Sequence, residues 1–124
     1  MIAQLCAVAI GGAFGALARF GCTQLGALFV GRDTWIATLG INVLGSFALG
    51  VIAGLIGRRG EHWPLLNSLL AIGFLGAFTT FSTYAVETLR LWQDGRVLIG
   101  VAYAVGSVVA ALGAAWLGAR LTLS

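Results

Sequence analysis

Four apolar stretches, each long enough to cross a lipid bilayer, occupy nearly all of this 124-residue sequence. They cover about residues 2–30, 34–56, 64–91 and 97–117, and short polar turns separate them. Because a membrane-spanning helix needs roughly 20 apolar residues, four of them leave no length for a separate soluble domain. The predicted fold is an all-α membrane protein, with one transmembrane domain of four helices over residues 1–124.

The composition excludes most other classes of protein. Only 9% of the residues are charged, against roughly 25% in a soluble domain, so a soluble globular fold is excluded. The apolar runs are continuous rather than alternating, which excludes an outer-membrane β-barrel. A net charge of +3, scattered along the chain, is too small for a nucleic-acid surface. The expected surroundings are the lipid bilayer, with no nucleic acid as partner.

The basic residues bear on how the chain inserts. All seven are arginines, and one of them lies inside the first apolar run. The other six divide equally between the two sides of the membrane, as Arg58, Arg59 and Arg120 against Arg32, Arg90 and Arg96. An equal count gives the positive-inside rule no preferred orientation. This favours insertion both ways and an antiparallel, dual-topology homodimer; a single orientation is the alternative.

Small residues recur at every fourth position in the first two runs, at Gly11 and Gly15 and at Ser46, Gly50 and Gly54. This spacing places them on one helix face and lets two helix backbones approach closely. The pattern fits packing within one chain and packing between two chains equally well.

Polar side chains inside the runs are the candidate functional groups, because a polar group at membrane depth is costly. Thr38, Asn42 and Ser46 follow at intervals of four and share one face of the second helix. Tyr103 and Ser107 have the same interval in the fourth. Hydrogen bonds that only hold the bundle together are the alternative. For Asn42, with two amide donors and a carbonyl acceptor, we favour a functional role.

The third run contains the densest polar cluster. Residues 73–84 have the sequence GFLGAFTTFSTY, in which two glycines and then β-branched hydroxyl residues form a poor continuous helix. We predict a break over residues 76–80. A broken membrane helix frees backbone groups, which is tolerated only around a bound ion, water or protein.

Two side-chain sets follow the predicted break. Phe81 and Tyr84, three residues apart, lie near one another, and Thr80, Thr83 and Glu87 form a polar stripe beside them. Packing against lipid or core is the alternative for the aromatics. The sequence has no His–metal cluster, no Gly-rich phosphate loop and no nucleophile–base pair. These features indicate an oligomeric membrane protein with an ion path, and not an enzyme.

Arg19 and Glu87 are the charges nearest to membrane depth. Arg19 either extends its guanidinium to an interface or draws anions into a water-filled vestibule. Glu87 is either a capping or surface acid or a functional group. Both pairs of alternatives stay open.

Three stretches of the sequence resemble the Fluc (CrcB) family of fluoride channels: GALAR at 15–19, TLGINVLGSF at 38–47 and GAFTTFST at 76–83. The resemblance extends over nearly the whole chain. It implies passive, fluoride-selective efflux from a bacterial cytoplasm across the inner membrane. It also implies a dual-topology homodimer with two pores and a structural sodium ion, Na+, at its centre.

By the same resemblance, Asn42 is a pore-lining donor, and Phe81 belongs to an aromatic box whose ring edges face the anion. Tyr103 matches the pore-facing aromatic of the fourth helix, and Arg19 matches the basic residue of the first. Tyr84 replaces a Phe that is usual in the family, which retains the ring edge and adds a hydroxyl donor. Hydroxyls near the path are implied for Thr80 and for Ser82 or Thr83. Carbonyls that bind sodium are implied for Gly76 and Thr79.

Two other functions compete with the channel. Small drug/proton antiporters are also four-helix, dual-topology dimers, but they depend on an acid deep in the first helix. Here that helix contains Gln4 and Arg19 and no acid. A structural membrane subunit, with no transport of its own, is the third possibility.

Overall fold

The computed structural model describes residues 1–59 and 63–123 of the chain. Their helices, in chain order, are α1 (Ile2–Val30), α2 (Trp35–Arg59), α3 (Pro64–Asn67), a π-helical stretch (Ser68–Leu75), α4 (Gly76–Phe78), α5 (Phe81–Gln93) and α6 (Val97–Leu123). Residues 60–62, in the second predicted loop, and Ser124 lie outside the described residues. Helix α6 continues past the predicted end at residue 117 to Leu123.

Within the described residues, four segments are long and apolar enough to cross a membrane: Ile2–Val30, Trp35–Gly57, Pro64–Gln93 and Val97–Leu123. The prediction of an all-helical protein with four spans is confirmed. We call these segments the first to fourth spans. The third span comprises α3, the π-helical stretch, α4 and α5.

The third span is interrupted near its middle. Helix α4 ends at Phe78, and the next two residues are extended, with φ −79° and ψ 157° at Thr79 and φ −150° and ψ 121° at Thr80. The predicted break over residues 76–80 is right in kind but too wide, because Gly76–Phe78 still forms a helical turn. The helix stops at the threonines rather than at the glycine, since hydroxyl residues compete for backbone hydrogen bonds.

The small residues of the first two spans pack within this chain. Helix α1 lies against the π-helical stretch, where a Cβ on Gly11 or Gly15 would overlap backbone carbonyl oxygens. Helix α2 lies along α6, where a Cβ on Gly50 or Gly54 would overlap atoms of α6 in the same way. Of the two alternatives for these glycines, packing inside one chain is therefore the one that the structure supports.

A small core holds the break against the second span. Ile41, Leu75 and Phe78 are buried together there. Many large apolar side chains elsewhere face outward, and Leu28 and Leu98 are 79% and 82% exposed. An apolar exterior around a small core is the arrangement expected of a chain that is covered by lipid or by a second chain.

The first and third turns meet at one end of the bundle. The Arg96 guanidinium forms an ion pair with the Asp33 carboxylate, and Trp35 Nε1 donates to Asp33 Oδ1 at 3.1 Å. The hydrogen bond from Arg96, followed by that from Trp35, lowers the pKa of Asp33 below its ordinary value. In each turn a glycine, Gly31 or Gly95, adopts a positive φ that disfavours other residues.

Candidate functional site

Asn42, on α2, pairs with the broken backbone of the third span. Its Nδ2 donates to the Thr80 carbonyl at 2.9 Å, and the Thr80 N–H donates to its Oδ1 at 2.8 Å. An extended residue inside a membrane span would otherwise leave both backbone groups without a partner, at a cost of several kcal/mol. One of the two amide N–H groups of Asn42 is used in this way.

Thr80 also begins α5. Its Oγ1 accepts from the Thr83 N–H at 3.2 Å and donates to Thr83 Oγ1 at 3.0 Å. In an unbroken helix the N–H groups of Thr80 and Thr83 would bond to the carbonyls of Gly76 and Thr79. Because Asn42 and the Thr80 side chain take those N–H groups instead, the oxygens of Gly76 and Thr79 are among the main-chain oxygens released from the helical ladder at the break.

Arg19 lies beside the same break, on the side of α1. Its Nε donates to the Ala77 carbonyl at 3.0 Å. Arg19 also lines a cavity of about 290 Å³ between α1, α2 and α5, together with Thr23, Thr80 and Thr83. The Arg19 side chain is therefore tied to the broken backbone of the third span.

Four aromatic rings form a continuous row from the break to the first turn. Their centroid separations are 5.3 Å from Phe81 to Tyr84, 5.4 Å from Tyr84 to Tyr103 and 5.2 Å from Tyr103 to Trp35. All three pairs are tilted, the geometry in which a ring edge approaches a ring face. The Tyr84 hydroxyl, which the Phe usual at this position would lack, donates to the Ala104 carbonyl of α6 at 2.9 Å.

Glu87 lies behind this row and is buried. Its Oε1 accepts from Thr34 Oγ1 at 3.1 Å and from Thr38 Oγ1 at 3.0 Å, and its Oε2 accepts from the Tyr103 hydroxyl at 2.9 Å. A buried carboxylate is stabilised by donors of this kind. Glu87 is therefore neither a surface acid nor a helix cap, and it joins α2, α5 and α6.

A second cavity, of about 220 Å³, opens on the other side of the break. Asn42, Thr80, Phe81 and Tyr84 line it, and Ser107 of α6 faces them. The Ser107 hydroxyl is buried and has no hydrogen-bond partner within the described part of the chain. A buried hydroxyl without a partner is costly, so this cavity has a polar group available for a small ligand.

The comparison with known proteins agrees with this architecture. The family model described as "CrcB-like protein, Camphor Resistance (CrcB)" matches residues 6–119. This chain belongs to the CrcB family. The family resemblance carried by the three sequence stretches is thereby confirmed.

Curated relatives of this CrcB chain are similar over nearly its full length. A protein of Saccharophagus degradans is 43% identical over 116 residues, covering 94% of this chain and 86% of the relative. One of Stutzerimonas stutzeri is 39% identical over 121 residues, covering 98% of each. Both are named "Fluoride-specific ion channel FluC". Because such relatives are named as ion channels, the prediction that the chain is not an enzyme is confirmed.

The fold brings most of the sequence-predicted CrcB site together. The members that meet around the break or the aromatic row are Arg19, Asn42, Gly76, Thr79, Thr80, Phe81, Thr83, Tyr84 and Tyr103. Ser82 lies at the edge, exposed, with its Oγ 3.4 Å from Thr80 Oγ1. How these residues act on an ion stays a prediction.

Three further residues belong to this constellation although the sequence-based site omits them. Thr34 directly precedes α2, and Trp35 is its first residue. The stripe of Thr38 and Asn42, extended back by four residues, would have included Thr34. Ser107 is recognised as polar from the sequence, but its lack of a partner is visible only once the helices are packed.

Proposed function

We propose that this chain is a passive, fluoride-selective ion channel of the bacterial inner membrane. The observation that carries the proposal is the cavity at the broken third span, where Asn42, the ring of Phe81 and the partnerless hydroxyl of Ser107 meet. The names of its curated relatives support fluoride as the ion.

The chemistry of the cavity suits a small, strongly hydrated anion. Such an ion must exchange water for contacts that are strong enough to admit it and weak enough to release it. A hydroxyl and an amide N–H supply donors, and aromatic ring edges carry a positive partial charge. The hydroxyls of Thr80 and of Ser82 or Thr83 lie beside the path, and the row of Tyr84 and Tyr103 continues it toward Glu87.

The functional unit is an antiparallel homodimer. Phe81 is 77% exposed on the isolated chain although it lines the cavity, so one wall of the path is open to a second chain. The equal arginine count of the two membrane sides supports insertion in both orientations. A two-fold dimer of this kind has two equivalent pores, each bounded by both chains.

A structural Na+ fits the released main-chain oxygens of Gly76 and Thr79. Hard oxygen ligands suit an alkali cation, and no group of three His, Cys, Asp or Glu side chains lies together in the described residues. When bound, the ion would be held by the Gly76 and Thr79 carbonyls and would supply positive charge at the break. Exchange of Na+ for N-methylglucamine should lower the thermal stability of the dimer, and unchanged stability would count against the ion.

Fluoride flux from proteoliposomes tests the channel. Purified protein in vesicles loaded with potassium fluoride should release fluoride only when valinomycin lets potassium follow, and should release little chloride. Flux that requires a proton gradient and an organic cation would support the alternative, a small drug/proton antiporter. Absence of both fluxes would support a structural subunit.

Labelling of single cysteines tests the dual topology. In a background without Cys6 and Cys22, a cysteine at Asp94 should react with a membrane-impermeant maleimide from both sides of the cell membrane. Labelling from one side only would reject the dual topology. It would not contradict the proposal that the chain is a fluoride channel.

A further inference from the structure

A charged cavity of about 770 Å³ lies where the aromatic row ends at the first and third turns. Six ionisable side chains line it: Arg32, Asp33, Glu87, Arg90, Asp94 and Arg96. It is separate from the cavity at the break and shares none of its lining residues. No role follows for it from the family resemblance or from the relatives' names.

This cavity is continuous with the polar groups behind the aromatic row. Glu87 lies at its base, and Thr34 and Trp35 form its wall. The Thr34 hydroxyl donates to Glu87, which also accepts from Tyr103. The cavity is therefore the outer end of the same row of groups that begins at Phe81.

The charged side chains of the cavity differ in their exposure and in whether they are paired. Arg32 and Arg90 are exposed, and neither has an ion-pair partner among residues 1–59 and 63–123. Arg96, by contrast, is paired with Asp33, and both side chains are little more than one-third exposed. Glu87 is buried beneath its three hydroxyl donors. The six formal charges sum to zero, but the exposed ones are Arg32 and Arg90 against Asp94, which leaves an excess of one accessible positive charge.

We infer that this cavity is an anion-collecting mouth of the channel, and that Asp33 limits its attraction by neutralising Arg96. The inference rests on the proposed function, since it concerns the ion that the channel conducts. An excess of accessible positive charge at the mouth of a cleft raises the local concentration of anions and their rate of capture. In this role Asp33 and Arg96 set the rate at which anions enter, and neither lines the cavity at the break.

The expected size of the effect follows from Coulomb's law. One unit charge at about 8 Å in water changes the local concentration of a monovalent anion by roughly twofold. Asp33→Asn, which exposes the charge of Arg96, should raise fluoride flux by about that factor at low ionic strength. Arg96→Gln, which leaves Asp33 unpaired, should lower flux by a similar factor, and Arg90→Gln should also lower it.

The test compares fluoride efflux from phosphatidylcholine vesicles, whose surface is uncharged overall, at two concentrations of an impermeant salt. At about 0.01 M the Debye length is roughly 30 Å, and at about 1 M it is roughly 3 Å. The differences among the variants should be present at low salt and should disappear at high salt. The double variant Asp33→Asn/Arg96→Gln should be intermediate between the two single variants.

A control variant and the comparison of single with double variants separate charge from structure. Arg120→Gln removes the same charge from a residue that lies over the Trp116 ring in the last turn of α6, at the opposite end of that helix from Arg96, and should leave the salt dependence unchanged. If the Asp33–Arg96 pair acts only as a tether, both single variants and the double variant should lose flux at every salt concentration, which would overturn the inference. Equal salt dependence in Arg120→Gln and Arg96→Gln would also overturn it.

The outcome distinguishes the inference from the proposed function. Absence of fluoride flux in the unmodified protein would reject the channel. If the unmodified protein conducts fluoride but Asp33→Asn and Arg96→Gln have the same flux at low salt, only the inference about the mouth is rejected.

Discussion

Asn42 and Thr80 are joined by two hydrogen bonds of opposite direction, one to the Thr80 carbonyl and one from the Thr80 N–H. A single side chain thus replaces both helical partners of an extended residue in the middle of a membrane span. The primary amide carries a donor and an acceptor on the same carbon atom, so it can take both roles at once. The second span therefore fixes the break in the third, and the same side chain lines the cavity at the break.

Asn42→Asp should abolish fluoride flux while the dimer still assembles. The carboxylate keeps an acceptor for the Thr80 N–H, but it leaves the Thr80 carbonyl without its donor, at a cost of about 1–3 kcal/mol, and it repels an anion. Fluoride efflux from vesicles and size-exclusion chromatography measure the two effects. Asn67→Asp, the same exchange in α3, is the control and should retain flux; full flux in Asn42→Asp would remove Asn42 from the path.

Phe81→Ile should slow fluoride flux severely. Isoleucine keeps an apolar side chain at the cavity but lacks the positive ring edge that an anion can approach. The matched control is Phe29→Ile, near the end of α1, where the ring is 88% exposed and away from the break. Similar flux in the two variants would show that the Phe81 ring serves only for packing.

Tyr84→Phe should change flux only mildly, because the ring and its tilted contacts with Phe81 and Tyr103 remain. The exchange removes the hydrogen bond to the Ala104 carbonyl, which should lower the stability by about 0.5–1.5 kcal/mol. Efflux and thermal unfolding in detergent separate the two quantities. Loss of flux without loss of stability would instead mean that the phenol hydroxyl takes part in conduction.

Gly15→Ala should destabilise the chain, and Gly21→Ala should not. A Cβ at Gly15 overlaps the Phe74 carbonyl of the π-helical stretch, whereas nothing lies within 4 Å of one at Gly21. Overpacking typically costs about 1–3 kcal/mol, while Ala in an open helix position is favoured over Gly by about 0.5–1 kcal/mol. Thermal unfolding of the two variants in the same detergent should move the midpoint in opposite directions.

The Asp33–Arg96 pair should make stability depend on pH in acid. The hydrogen bond from the Arg96 guanidinium lowers the pKa of Asp33 in the folded chain, so the folded state favours the ionised carboxylate. The contribution is complete above the unfolded pKa of about 3.9 and is lost as the pH falls through the lower folded value. Melting temperatures measured from about pH 6 to pH 3 should therefore fall less steeply for Asp33→Asn than for the unmodified protein. Parallel curves would indicate that the pair does not contribute.

The polar members of the site could be predicted from the sequence because the membrane makes them conspicuous. Asn42, Thr80 and Glu87 stand out against apolar neighbours, and helical spacing places them on recognisable faces. Their partners could not be predicted, since hydrogen bonds such as that from Tyr103 to Glu87 depend on the rotation and approach of separate helices. The predicted break is wider than the observed one for a related reason: the partner of the Thr80 backbone, Asn42, belongs to another span.

The sequence by itself determined the four spans and their order, because the bilayer requires long apolar segments whose backbone groups are all satisfied within helices. It also determined the family, through stretches such as residues 76–83. Only the tertiary structure decided that Gly15 and Gly50 serve packing inside one chain, that Arg19 is held at the break, and that Glu87 is buried beneath three hydroxyl donors. These outcomes depend on which helix faces meet, and a pattern along one helix does not specify its neighbour.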